Sequence, residues 1–163
     1  TKVYFPREIF PLASIGASFI DFLVASLLYI GMLTYYTAPI GLALIWLPVI
    51  LSGQLMLCSG VVLFASALNV FYRDVRFVIP LVIQLWLYAS PVIYPVSVVP
   101  EQFRFAYMLT PMAGIIDGYR AVLLQGLSPN LQYLGIALTI SALVFVAGYS
   151  FFKRVEMNFA DVI

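Results

Sequence analysis

The chain has 163 residues, of which 64% are hydrophobic and 9% charged, with a formal net charge of +1. Soluble domains carry about one-quarter charged residues, so this composition excludes a water-soluble fold and describes an integral membrane protein. Without histidine and with one cysteine, Cys58, it also excludes an internal disulfide, a His/Cys metal site and Ser–His or Cys–His chemistry, and the near-neutral charge makes no case for nucleic acid.

The chain begins at Thr1 with no signal peptide ahead of its first span, and we expect the C-terminal part of a longer chain forming one membrane domain. Residues 1–11, TKVYFPREIFP, mix Lys2, Arg7 and Glu8 with Val3, Tyr4, Phe5, Ile9 and Phe10. Pro6 suits a first helical turn and Glu8 its positive end. The pattern predicts an amphipathic interfacial segment, either a flank to the next span or a docking element for a soluble partner.

A first span is predicted over 12–36, long enough for the ~20 apolar residues a crossing helix needs. Its one charge is the intramembrane acid Asp21, on a face with Ser14 and Ser18 at i, i+4, i+7. An acid at that depth is expected to face the bundle interior or water, as a structural hydrogen bond or an ion relay. A second span over 40–68 carries no charge. Ser52, Ser59 and Ser66 recur along it every seven residues, with Gly53, Gly60 and Ala67 one step behind. That stripe of small residues predicts a helix-packing seam. Cys58, inside the apolar run, reads as a small core residue.

The loop that follows holds Arg73, Asp74 and Arg76. Taken as cytoplasmic, it puts both chain ends inside with Lys2, Arg7, Lys153 and Arg154, leaving Arg104 and Arg120 outside, as the positive-inside rule requires. A third span is predicted over 77–96, with Pro91 kinking it. Gln84, Tyr88 and Pro91 share a face, which suits a conduit wall or a buried polar pair. Residues 97–130 hold no full span. The apolar run 105–116 is broken by Pro111, and 115–124 forms a second short helix where Asp117 and Arg120 are spaced to pair. Backbones dipping part-way into a bilayer must be buried in protein or face water, so this reads as an external gate containing Phe103, Tyr107, Pro111, Asp117, Tyr119 and Arg120. A last span runs over 131–152, closed by Lys153, Arg154 and Glu156. The expected fold is therefore all-α and membrane-embedded: four transmembrane helices, a re-entrant helical hairpin outside and an N-terminal interfacial helix.

Aromatic residues make up 16% of the chain, and Tyr88, Tyr94, Phe103, Tyr107 and Tyr119 gather toward the outer half. Aromatic faces take the C–H faces of sugars, although interfaces collect tyrosine in any membrane protein. On this basis Gln84, Tyr88 and Tyr94 are expected to line a conduit.

Five segments then carry a family resemblance: KVYFPREIFPL (2–12), SALNVFYRDVRFVIPLVIQLWLYASPVIYP (66–95), VPEQFR (99–104), TPMAGIIDGYRAVLL (110–124) and FKRVEMNFADVI (152–163). In that order they resemble the permease subunit of type-2 ABC exporters, in the branch exporting O-antigen, capsule and teichoic-acid polysaccharides. Members of that family have an interfacial helix and two further spans before the KVYFPRE-like segment. The resemblance implies two permease copies forming a channel for lipid-linked polysaccharide in the bacterial cytoplasmic (inner) membrane. It implies two separate nucleotide-binding subunits that bind ATP and Mg and hydrolyse ATP, with no cofactor and no catalytic residue in this chain. The absence of a Walker-type glycine loop agrees with that division. By the same resemblance, 1–11 is the coupling helix, with Tyr4, Phe5, Arg7 and Glu8 touching the ATPase. Two alternatives stay open: an exporter of a drug or lipid in the same superfamily, and an intramembrane transferase using Asp21, Glu101 or Asp117.

Overall fold

A computed structural model describes residues 9–35, 41–72, 74–90, 92, 100, 102 and 107–156. Its elements are α1 (Ile9–Tyr35), a 3-10 turn (Leu42–Trp46) running into α2 (Leu47–Phe71), α3 (Val75–Ala89), α4 (Pro111–Arg120) continued by a π turn (Ala121–Gln125), and α5 (Leu131–Glu156). Among the described residues the protein is helical throughout, and three stretches are long and apolar enough to cross a membrane: Ile9–Leu33, Leu42–Phe71 and Leu131–Glu156. These match the first, second and last expected spans.

The third expected span, over 77–96, is described only in part. The described helix α3 has 15 residues and ends at Ala89. At 1.5 Å per residue that is about 22 Å, short of a ~30 Å hydrocarbon core. Ser90 is extended, with φ −97° and ψ 151°, and its N–H donates to Trp86 O at 2.9 Å. A residue preceding proline is pushed out of the helical region. The Ser90–Pro91 sequence accounts for the end of the described helix; the expected kink at Pro91 and the stretch 93–96 lie outside the described residues.

The centre of the bundle is the pair α2–α5. On α2 the buried residues are Ile50, Gly53, Leu57, Gly60, Leu63 and Ala67, at spacings of three and four that keep one face inward. On α5 they are Leu134, Ala137, Ser141, Gly148 and Phe152. Gly53 lies against Leu138 and Gly60 against Phe145, so contacts advance in step and the two helices run parallel. The expected small-residue seam is present, carried by the Gly53–Gly60–Ala67 line. Of the serine line, Ser52 is exposed and Ser59 and Ser66 are half-buried. With little hydrophobic drive between helices in lipid, close backbone approach through small residues is what holds such a pair.

The short helix α4 wedges against the starting ends of α2 and α5. Its Ile115 is buried beside Gly53, and its Gly114 lies on Tyr133 and Ala137. Pro111 occupies its first turn, where a missing N–H costs nothing. Gly126, at φ 65°, ends the π turn in the left-handed region that favours glycine. Asn130 then caps α5, its Oδ1 accepting from the N–H groups of Gln132 (3.0 Å) and Tyr133 (3.4 Å). At the other end, Lys153 and Arg154 sit in the last turn of α5, where cations suit the helix dipole, and Lys153 Nζ pairs with Glu156 at 3.0 Å.

By contrast, α1 and α3 lean on this core lightly. Along α1, Phe10 and Leu27 are each 71% exposed, and α3 has no buried residue. Such faces belong in lipid or against other protein.

Candidate functional site

Polar side chains inside the bundle meet at the junction of α1, α2 and α4. The Tyr119 hydroxyl donates to Gln54 Oε1 at 2.7 Å, a bond that ties α4 to α2 across 65 residues of sequence. Burial, with Cys58 nearby, pushes the Tyr119 phenol up to about 12, so it keeps its proton and acts as the donor. The ring of Phe22 on α1 flanks Tyr119, with centroids 6.4 Å apart. Interhelical hydrogen bonds in membranes average about 0.6 kcal/mol and reach about 1.7 kcal/mol. Tyr119→Phe is accordingly expected to cost about 0.6–1.7 kcal/mol in detergent unfolding. A loss no larger than that of Tyr72→Phe, at an exposed ring, would remove the bond from the account.

Beneath this contact a cavity of about 190 Å³ opens between α1 and α2, lined by Ser14, Ser18, Phe19, Phe22, Gln54 and Cys58 among others. A second cavity of about 280 Å³ lies between α2, α3 and α4, lined by Leu57, Val61, Ile83, Trp86, Leu87 and Met112 with Cys58 and Ser90. It is almost wholly apolar. The Ser90 hydroxyl is buried in its wall with no partner among the described residues.

The predicted gate residues on α4 are brought together. Pro111 is buried, Tyr119 holds Gln54, and Arg120 Nη2 donates to Val92 O at 3.0 Å, fastening α4 to the end of α3. Burial raises the Asp117 carboxyl above the usual carboxylate range, and the charge of Arg120, three residues on, pulls it back part-way. Tyr107 is half-buried just ahead of α4. Phe103 and Tyr94 lie outside the described residues, as do Tyr4, Phe5, Arg7 and Glu8, and likewise Glu101.

Gln84 and Tyr88 share one side of α3 as expected, and that side is exposed. The side turned toward α2 carries Ile83, Trp86, Leu87 and Ser90. Asp21 is likewise exposed: Ser14 and Ser18 face the cavity with Ile15, Phe19 and Phe22, and Asp21 falls outside that arc. Cys58 departs from its expected place in the core. It is exposed and borders both cavities, because the buried stripe of α2 passes through Leu57, one step round the helix. Gln54 was missed from sequence. The available signal was an amide with no other long polar side chain in an uncharged span.

The family model for the ABC-2 type transporter matches residues 2–124. The chain belongs to the ABC-2 type transporter family. It is similar to two proteins named O-antigen export system permease protein RfbA from Klebsiella pneumoniae, at 29% and 28% identity over 163 residues, covering 99% of this chain and 62% of each relative. A protein of the same name from Myxococcus xanthus is 26% identical over 167 residues, covering 100% of this chain and 64% of the relative. The chain thus spans under two-thirds of the length of these curated relatives. As an ABC-2 family member with three apolar helices of crossing length, it is a multi-pass membrane protein. Within the ABC-2 match fall α1, α2, α3 and most of the α4 segment, so the Tyr119–Gln54–Phe22 contact lies inside the family domain.

Proposed function

We propose that this chain is the channel-forming permease subunit of an ATP-driven exporter that moves lipid-linked polysaccharide across the bacterial cytoplasmic membrane. The observation that carries the reading is collinearity: relatives named as O-antigen export permeases align along 99–100% of the chain. ATP and Mg are then handled by a separate nucleotide-binding subunit. Two permease copies and two such subunits make the working assembly, with both ends of this chain cytoplasmic. The interfacial segment 1–11 couples to the ATPase through Tyr4, Phe5, Arg7 and Glu8. A fourth crossing is completed beyond Ala89, and α4 with the segment before it forms the external re-entrant gate. The exposed side of α3 bearing Gln84 and Tyr88 faces the conduit, together with Tyr94. This gives a role to two polar side chains that are exposed among the described residues.

The full-length permease, tagged and co-expressed with its ATPase, tests this in one preparation. Equal co-elution with ATP hydrolysis is expected. Phe5→Ala with Arg7→Ala should lose the ATPase subunit, while cysteines at positions 84 and 88 should react with a water-soluble thiol reagent. A permease that purifies alone overturns the exporter reading. Unchanged co-elution of the double variant overturns the coupling contact, and unreactive cysteines at 84 and 88 overturn the conduit face.

A further inference from the structure

The cavity between α1 and α2 has a chemistry that its surroundings do not explain. Gln54 sits inside a span that carries no charge. Its Oε1 is taken by Tyr119, which fixes which way the amide points. Its Nε2 donates to no described residue, and Gln54 is part of the cavity lining. Two donor hydrogens open to the cavity favour an occupant that offers acceptors. Ser18 adds a hydroxyl to the same wall, and Ser14 adds another, which already donates to Pro11 O at 2.8 Å but still has lone pairs to offer.

The rest of the lining narrows the class. Phe19 and Phe22 lie in the wall with rings 6.2 Å apart and inclined by only 19°, which presents two nearly parallel apolar faces. Among the described residues no charged side chain lines the cavity, so they offer an ionic ligand no counter-charge. A hydrocarbon chain would leave the Gln54 amide unpaired. A neutral ring with hydroxyls on its rim and C–H groups on its faces matches both the polar and the aromatic parts of the lining. The volume of about 190 Å³ is below the ~300 Å³ where drug-sized sites begin, so it suits one such ring and not several.

We propose that the α1–α2 cavity is a subsite for a single sugar residue, held by the Gln54 amide nitrogen and Ser18 and carried on Phe19 and Phe22, with Tyr119 holding the other end of the Gln54 amide. The proposal rests on the polysaccharide-export reading and adds a place on α1 and α2 to the α3 face assigned above. Gln54 is the shared group: one end of its amide holds the sugar and the other holds α4. Occupancy of the subsite therefore bears directly on the bond that keeps the gate helix in place.

Cys58 borders the cavity and is the only cysteine in the chain, which gives the test its reporter. The full-length permease, with any other cysteines changed to serine, is purified with its ATPase subunit. Alkylation of Cys58 by a water-soluble maleimide is timed with and without the lipid-free repeat-unit oligosaccharide of the host polysaccharide. Polyethylene glycol of equal mass is the control. We expect the oligosaccharide alone to slow alkylation. Gln54→Leu should raise the half-protecting concentration about tenfold, as loss of one hydrogen bond of about 1.4 kcal/mol would. Phe22→Leu should raise it as well. Equal slowing by the polymer, unchanged protection in both variants, or a Cys58 that never reacts would each overturn the subsite. Loss of the ATPase subunit from the preparation would instead count against the exporter reading.

Discussion

Gly148→Ala is expected to force the two central helices apart. A methyl group there would press directly on the Gly60 carbonyl oxygen, with Gly60 Cα only 3.1 Å away. From the other side, a methyl at Gly60 would come within 2.7 Å of the Phe145 backbone. Both obstacles are main chain, so no side chain can swing away to relieve them. Overpacking a well-fitted core costs about 1–3 kcal/mol and occasionally more. We expect this substitution at the upper end, because α2 and α5 together hold half of the buried residues among those described. Gly53→Ala is the comparison: its methyl would meet Leu138 Cδ2, the far end of a flexible side chain, and a rotamer change relieves it. Gly135→Ala meets nothing within 4 Å. Thermal unfolding in detergent should rank the three as Gly148, then Gly53, then Gly135, with export lost in the first. Equal stability of Gly148→Ala and Gly135→Ala would mean that the helices do not cross where described.

Gly114→Val should release α4 while sparing the α2–α5 pair. A Cβ at Gly114 would sit 2.7 Å from Ala137 Cβ and 2.8 Å from Tyr133 O. Here too the obstacle is largely rigid, a methyl stub and a carbonyl. The displaced helix carries Tyr119 and Arg120, so its tethers to Gln54 and to Val92 should loosen together. The expected signature is selective. Hydrogen exchange rises across 111–125 and at Gln54, whereas 57–67 and 141–152 stay protected. Exchange that rises evenly along all helices would show that α4 is part of the core rather than a piece seated on it.

How much of this was legible beforehand depends on which physical signal each feature sends. The glycine seam could be read because packing at a fixed helical face demands a repeat, and Gly53, Gly60 and Ala67 keep it. The three long spans could be read because a bilayer has one thickness. The end of the described α3 could not, because a proline inside an apolar run is compatible with both a kink and a stop, and the extended conformation of Ser90 is visible only in the structure. Spacing put Gln84 and Tyr88 on one side of α3, but nothing in a local pattern says which side a helix turns to its neighbour. Gln54 was passed over for a related reason. A lone amide in an apolar span becomes notable only when Tyr119, far along the chain, is found against it. Cys58 was read from the polarity of its neighbours, while its position was set by the arc that Leu57 and Gly60 occupy.

The uneven packing of the helices has a consequence for what substitutions reveal. Where α2, α4 and α5 interlock, a change is felt by the fold, and its effect follows the chain wherever it goes. On α1 and α3 the outward apolar residues are largely exposed among the described residues. Whatever constrains Leu27, Leu28 or Leu85 must come from lipid or from protein outside the described residues. Variation there is a record of neighbours. A survey of tolerated changes on those two helices would therefore map the missing surroundings, in the way wear on a bearing shows where the shaft runs.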